Sequence, residues 1–108
     1  MKETGLGEFQ EMVLLTILIL DEEAYGAKIQ NQLSDQLGRT ISRGTLHTAF
    51  TRLEEKNFIE STYGGATAER GGRRKRFYTV TNLGKTALTE ARTIRDQMWS
   101  LVPEIKLS

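Results

Sequence analysis

A nearly continuous apolar run, from Glu8 to Leu20, constrains this 108-residue chain more than any other feature of its sequence. Periodicity alone does not separate a strand from a fully buried helix, but the length of the run favours a helix. A helix that is apolar on every side in so small a protein has to bury more than one face. One face can pack on the chain's own core, whereas the other needs a partner. The run therefore predicts a dimer, and it is too short to span a bilayer, which needs roughly 20 residues.

Two further helices are predicted directly after this run. Apolar residues recur at helical spacing over residues 26–37, and Gly38 is a suitable C-terminal stop. Ser42 is a good N-cap for a third helix over residues 43–56, whose apolar positions recur at i, i+3, i+4 and i+7. Two short helices joined by a tight, glycine-containing turn indicate a helix-turn-helix.

The pattern changes after the third helix and predicts a β-hairpin. Residues 58–63 and 76–80 are both rich in β-branched and aromatic side chains, which favour strands. The segment between them is rich in glycine, as expected for the connection of a hairpin. Three helices followed by a two-stranded wing is the order of a winged helix.

A last helix is predicted after the hairpin. Thr81 or Asn82 can cap it, its apolar positions advance in steps of four and three, and Pro103 ends it. The predicted fold class is mainly α with a small β-hairpin: a winged helix-turn-helix in the order α-α-α-β-β, followed by a C-terminal dimerisation helix. We assign residues 1–81 to the DNA-binding domain and residues 82–108 to the dimerisation helix and tail.

Charge is distributed unevenly along the chain. Residues 1–38 carry two lysines against seven acidic residues, whereas residues 39–95 carry twelve Lys/Arg against five acidic residues. The basic middle predicts one surface that faces a polyanion.

The chain has no cysteine, so disulfides and thiolate metal sites are excluded, and its single histidine, His47, is no metal site. Acidic residues precede the apolar run, which is not the pattern of a signal peptide, so we expect a cytoplasmic protein. We also expect neither a cofactor nor a metal.

The third helix and the wing carry the candidate DNA-binding residues. The N-terminal part of a recognition helix reaches base edges in the major groove, and an arginine there can contact guanine. In the wing, five cationic residues lie close together in sequence, with Glu69 as the nearby acid, and such a cluster neutralises phosphates. Either feature alone is also compatible with an ordinary solvated surface. The candidates are Ser42, Arg43, Gly44, Thr45, His47, Thr48, Thr51, Arg52, Arg70, Arg73, Arg74, Lys75 and Arg76.

The sequence resembles the PadR family of transcriptional regulators from Leu6 to about Leu101. The matching stretches are Tyr25-Gly26, Ser42-Arg-Gly-Thr-Leu46, Arg52-Leu-Glu54 with Phe58-Ile-Glu60, and Lys75-Arg-Phe-Tyr-Thr-Val-Thr-Asn-Leu-Gly84. Arg43 stands where the family usually has proline, and His47-Thr48 where it usually has Tyr-Pro. The resemblance implies a homodimeric repressor that binds double-stranded operator DNA, and it places Tyr25 near the DNA backbone. Packing in the core is the alternative role of Tyr25.

The aromatic residues of the hairpin and of the last helix are expected to pack, and one of them, Trp99, has an alternative role. One or both of Tyr63 and Tyr78 are expected to pack the hairpin on the third helix. Trp99 either packs at the dimer seam or lines a flat apolar pocket there, together with Met12, Leu15 and Met98. In the second case a small apolar or aromatic ligand releases the repressor from DNA. The candidate residues of this interface are Met12, Leu15, Ile94, Met98, Trp99 and Leu101.

Two other function classes compete with DNA binding. Winged helices also serve as protein-interaction modules, because fold alone does not fix function. The arginine cluster of the wing favours DNA over such a module. An enzyme is disfavoured, because the sequence offers no convergent set of titratable groups, and its glycine pairs are predicted to lie in a hairpin connection rather than at the start of a helix.

Overall fold

The computed structural model describes residues 5–64 and 75–105, which form a helical core with one β-hairpin. A 3₁₀ turn, Asp21–Glu23, joins the first two helices. The order of the elements confirms the predicted winged helix-turn-helix with an added C-terminal helix, and the predicted ends agree with the structure to within one residue. The elements are α1 (Glu8–Leu20), α2 (Gly26–Leu37), α3 (Arg43–Glu55), β1 (Ile59–Gly64), β2 (Lys75–Val80) and α4 (Asn82–Leu101).

Local chemistry fixes the turn between α2 and α3. Gly38 ends α2 in the left-handed conformation, with φ of 66°, which glycine adopts without steric cost. Ile41 N then donates to Ser34 Oγ at 3.0 Å, so a side chain of α2 holds the connection. Ser42 Oγ accepts from Thr45 N at 3.1 Å and caps α3, as the sequence predicted.

The hairpin is antiparallel, with a register that runs from Ile59 opposite Val80 to Gly64 opposite Lys75. Because side chains alternate along a strand, one face of the hairpin is continuous with the core. On that face the ring of Tyr78 stacks on Phe50 of α3, with 4.1 Å between ring centroids. This face carries Ile59, Ser61, Tyr63, Arg76, Tyr78 and Val80.

The start of α4 packs directly on the base of the hairpin. Thr81 caps the helix by accepting from Gly84 N at 3.0 Å, and its hydroxyl donates to Asn57 O at 2.7 Å. A Cβ on Gly84 would collide with the carbonyl oxygen of Phe58, so this contact requires glycine. The direction in which α4 leaves the core is thus set by backbone contact.

A single core joins the four helices and the hairpin. The first half of α4 belongs to it through Ala87 and Leu88, whereas the second half of α4 is mostly exposed. The helices and strands contribute the buried side chains Val13, Leu14, Ile17, Ile29, Leu33, Leu46, Phe50, Leu53, Ile59 and Val80. Among the helices of residues 5–64 and 75–105, none combines the length and the apolar character that crossing a membrane requires.

Candidate nucleic-acid interface

The side of α3 that faces away from the core is polar and cationic. Burial of Leu46, Ala49, Phe50 and Leu53 turns the opposite side of the helix to solvent, as the sequence predicted. We call that exposed set the reading side. It consists of Arg43, Gly44, His47, Thr48, Thr51 and Arg52.

Hydrogen bonding within α3 limits which groups of the reading side can donate to a ligand. Thr48 Oγ1 donates to Gly44 O and Thr51 Oγ1 donates to His47 O, each at 3.0 Å. These two hydroxyls are therefore occupied as donors, and their remaining contacts are made through lone pairs and methyl groups. The side-chain donors left for an anion or a base edge are those of Arg43, His47 and Arg52.

The first turn of α3 leaves room for close approach. Ser42 satisfies the N–H of Thr45, so the hydroxyls of Ser42 and Thr45 serve the cap, with 2.8 Å between their oxygens. Gly44 has no positive φ, and a Cβ added to it would meet nothing within 4 Å. Neither backbone conformation nor packing within the described residues therefore requires glycine at position 44.

Shallow grooves flank the reading side. Toward the hairpin, a groove of about 220 Å³ is lined by residues that include Arg43, His47, Phe50 and Tyr78. Toward α1, a groove of about 480 Å³ is lined by the start of α1 together with Thr48 and Arg52. Lys56 Nζ donates to Gln10 Oε1 at 2.8 Å and holds the start of α1 beside α3. The reading side is thus a ridge between two depressions.

Tyr25 joins α2 to the outer face of the hairpin. Its ring meets Phe77 edge-on, with 5.6 Å between centroids, and Lys75 Nζ lies 4.2 Å from the Tyr25 ring centroid. Tyr78 N donates to Ala24 O at 2.8 Å and fixes the same junction through the backbone. Tyr25 is half-buried. It packs on the wing while keeping part of its surface exposed next to a lysine, so its predicted contact with the DNA backbone stays a prediction.

The two tyrosines of the hairpin's inner face behave differently. Tyr78 is 6% exposed and packs the hairpin on α3, as expected, whereas Tyr63 is 63% exposed. Burial raises the pKa of the Tyr78 hydroxyl, against the nearby Arg76 charge, which lowers it. Tyr78 is therefore a neutral packing residue at the floor of the hairpin-side groove.

Arg76 is held by groups on both neighbouring elements. Its Nη2 donates to Glu54 Oε2 of α3 at 3.1 Å, and its Nε donates to Ser61 Oγ of β1 at 2.9 Å. Ser61 Oγ in turn donates to the same Glu54 oxygen at 3.2 Å. The sequence pattern grouped Arg76 with the other cations of the wing and did not indicate either partner. Strand alternation, which puts positions 61 and 76 on the inner face, is the signal that could have revealed them.

The other wing residues divide into described and undescribed ones. Lys75 is exposed and lies on the outer face of the hairpin. Arg70, Arg73 and Arg74 fall outside the residues that the structure describes. Within residues 5–64 and 75–105, no group of His, Asp and Glu side chains is able to hold a metal ion.

A second surface, on α1 and α4, is apolar. Leu15 and Leu18 of α1 and Trp99 of α4 line one groove of about 600 Å³, and Leu15 and Ile19 line a smaller groove toward α2. We call these four residues the apolar face. Each of them is more than 40% exposed. The unpartnered second side of α1 that the sequence predicted is thus present in the structure.

A half-buried carboxylate lies in the wall of the larger groove. Glu11 Oε1 accepts from Arg95 Nη1 at 2.6 Å, which ties α1 to α4. The structure brings together Leu15 and Trp99 of the predicted ligand pocket, while Met12 lines the smaller groove with Leu15. Beyond these, the second half of α4 places Met98 and Leu101 in solvent and leaves Ile94 half-buried.

Comparison with known proteins identifies relatives of the chain. Residues 14–90 match the model of the family described as transcriptional regulator PadR-like. An uncharacterized protein of Lysinibacillus sphaericus is 38% identical over 90 residues, which cover 82% of this chain and 76% of that protein.

Solved structures with the same fold carry consistent descriptions. A PadR family transcription regulator from Clostridium difficile is 28% identical, with a TM-score of 0.59, and the match covers 88% of this chain and 99% of that one. A PadR-like transcription factor from Bacteroides fragilis has a TM-score of 0.68 at 20% identity, with 85% of this chain and 84% of that one covered. A PadR-like regulator from Bacillus cereus has a TM-score of 0.64 at 19% identity, covering 82% and 84%.

Proposed function

The chain belongs to the PadR-like family and is a transcriptional regulator, and from that premise we propose that it is a homodimeric repressor of operator DNA. Two copies join through the apolar face and present two reading sides to one duplex. A two-fold dimer binds a pseudo-palindrome whose half-sites are separated by about one helical turn, roughly 34–36 Å. The observation that carries the proposal is the reading side itself, an exposed helical ridge with three side-chain donors beside a hairpin whose outer face carries the exposed Lys75.

The division of labour on DNA follows from the groups that remain free. Arg43, at the start of α3, suits bidentate recognition of guanine O6 and N7 in the major groove. The methyl groups of Thr48 and Thr51 suit apolar contact with thymine, because their hydroxyls already donate within the helix. Arg52, Lys75 and the backbone N–H groups at the start of α3 suit phosphates. We assign Arg70, Arg73 and Arg74 to phosphate contact from their charge and their place in the sequence.

Dimerisation is supported by the exposure of the apolar face. Soluble monomers rarely expose a contiguous patch of large apolar side chains, and such patches mark interaction sites. Ile19 and Trp99 are each 62% exposed. A second copy of the chain is a suitable cover, because a two-fold interface uses the same surface on both partners.

Release of the repressor by a ligand is the last part of the proposal. The groove lined by Leu15, Leu18 and Trp99 measures about 600 Å³, within the range of small-molecule sites. A planar apolar or aromatic ligand there would change how two copies pack and hence the separation of their reading sides. Since Trp99 is the only tryptophan, its fluorescence reports directly on binding. No response to a broad panel of planar aromatic cations would contradict this part alone.

Selection of bound sequences from a random pool of duplexes, at two salt concentrations, tests the proposal. We expect enrichment of an inverted repeat, with affinity that falls steeply as salt rises. Replacing Arg73 and Arg74 by glutamine should weaken binding to all duplexes. The slope of log affinity against log salt should then fall by about 0.9 for each phosphate that the variant no longer neutralises. No measurable duplex binding in dilute buffer would contradict DNA binding and favour a protein-interaction module.

A further inference from the structure

We propose that Arg76 is a positioning residue, which sets the angle of the wing against α3 and does not neutralise a DNA phosphate. The proposal rests on DNA binding as described above, because the angle matters only if wing and α3 engage one duplex together. We call Arg76, Ser61 and Glu54 the brace.

The brace is a closed triangle of hydrogen bonds among three different elements. The guanidinium of Arg76 on β2 donates at once to Ser61 on β1 and to Glu54 on α3, at 2.9 and 3.1 Å. Ser61 closes the triangle at 3.2 Å on the same Glu54 oxygen. The planar fork of arginine satisfies both acceptors in one fixed orientation, which the point charge of lysine does not. Arg76 is thereby fixed in direction as well as in place.

The charge of Arg76 is already matched by the acid it binds. Arg76 and Glu54 together present no net charge to a polyanion, and a phosphate would have to displace Glu54 from the guanidinium. Lys75, the neighbouring residue, points to the opposite face of the strand and forms no ion pair with any described residue. The two cations of β2 therefore have different roles, with Lys75 available to a phosphate and Arg76 committed to the protein.

The position of the brace along the hairpin explains why it controls direction. The base of the hairpin is fixed in the core by Ile59, Val80 and Tyr78. Arg76 pairs across the sheet with Tyr63, one residue pair before the last described pair, Gly64 and Lys75. The brace is thus the outermost polar tie between the described hairpin and α3. Without it the base stays in the core and Tyr25 still contacts Phe77 and Lys75, but the outer part of the hairpin loses the tie to α3 that sets its angle.

Removal of Glu54 separates the positioning role from phosphate contact by the sign of its effect. In E54A the brace loses its carboxylate and with it the tie to α3, so affinity for the selected duplex should fall about two- to fivefold, the range of a partly exposed ion pair. If Arg76 contacts phosphate instead, removal of the carboxylate takes away a repulsive charge and raises affinity. E55A is the matched control, because it removes the same charge from the same turn of α3 at an exposed position. It should leave affinity unchanged or raise it slightly.

Replacement of Arg76 itself gives a second readout. R76Q should weaken binding as much as E54A does while leaving the salt slope unchanged, whereas removal of a group that neutralises a phosphate lowers that slope by about 0.9. The double variant E54A/R76Q should bind no more weakly than either single variant, since each single variant already breaks the ion pair that ties the hairpin to α3. R76K keeps the charge but not the fork, and it should resemble R76Q. All variants are compared at a temperature where circular dichroism shows them folded.

The results distinguish a failure of DNA binding from a failure of the positioning role of Arg76. If the unaltered protein binds no duplex, DNA binding is wrong and the positioning role fails with it. If the unaltered protein binds and E54A binds equally well, the positioning role alone is overturned. If E54A binds better, or R76Q lowers the salt slope while R76K restores full affinity, the positioning role is overturned and Arg76 is a phosphate contact.

Discussion

The reading side of α3 and the apolar face of α1 and α4 are built from opposite kinds of side chain. Ten large apolar side chains are exposed among the described residues, and nine of them lie on α1, on α4 or just after α4. The exposed surface of α2 and α3 has none of them. The proposed function gives these two surfaces different tasks, because apolar exposure serves burial against a protein and cationic exposure serves contact with phosphates.

Introducing a charge on the apolar face should have the largest effect. Leu18→Asp places a carboxylate where we propose that a second copy packs, so the dimer should dissociate while the monomer stays folded. Binding to the inverted repeat should then weaken by about 10²–10⁴-fold, because two linked reading sides gain that much avidity over one. Sedimentation velocity measures the first effect and fluorescence anisotropy with the duplex measures the second.

The control for that variant is Asn31→Asp, which adds the same charge on the exposed surface of α2. It should remain dimeric. A dimeric Leu18→Asp protein with unchanged affinity would remove the distinction between the two surfaces.

A substitution on the reading side should act on sequence preference rather than on assembly. Arg43→Ala should remove about 1–3 kcal/mol of discrimination at one base pair of each half-site while the protein stays dimeric. Competition between the selected duplex and single-base variants measures this change. A uniform decrease of affinity for all duplexes would instead make Arg43 a phosphate contact.

Gly44 should affect folding and binding in opposite directions. Alanine is a better helix former than glycine, and the structure leaves space for its Cβ, so Gly44→Ala should raise the free energy of unfolding by about 0.5–1 kcal/mol. The same methyl group would obstruct a duplex that approaches the first turn of α3, so affinity should fall. Urea unfolding and anisotropy measure the two quantities. Unchanged affinity of Gly44→Ala for the duplex would mean that the duplex does not approach the first turn of α3.

The smallest effect concerns Tyr78 beneath the reading side. Burial raises its pKa in the folded protein, so folding favours the protonated hydroxyl. This contribution to stability is complete below the ordinary tyrosine pKa of about 10 and is lost as pH rises through the raised folded value. Unfolding by urea should therefore become easier above about pH 10 for the unaltered protein than for Tyr78→Phe. Parallel curves for the two proteins would contradict the burial argument.

Much of the fold was predictable because local signals and burial agree along the chain. Gly38 and Ser42 mark the ends of two helices through their backbone and capping chemistry, and each does so in the structure. The helical spacing of the apolar residues in α3 predicted which side of the helix is exposed. These features depend on residues close in sequence, where spacing is informative.

The partners of side chains across the fold were not predictable in the same way. The pairing of Arg76 with Glu54 joins positions on different elements, and its existence depends on the angle between hairpin and α3. The same holds for Glu11 with Arg95, and for the separation of Met12 from the groove that Trp99 lines. The sequence shows where cationic residues lie along the chain, but it does not show which of them form ion pairs within the fold.

The separation of the two α3 helices within one dimer tests the central claim most directly. The chain has no cysteine, so Glu55→Cys introduces a single site for a spin label on the exposed last turn of α3. Pulsed electron resonance on the labelled protein bound to its selected duplex should give one narrow distance between the two labels, between roughly 30 and 50 Å, as adjacent half-sites require. The absence of a dipolar signal, or a distance far outside that range, would contradict a dimer with two reading sides on one duplex.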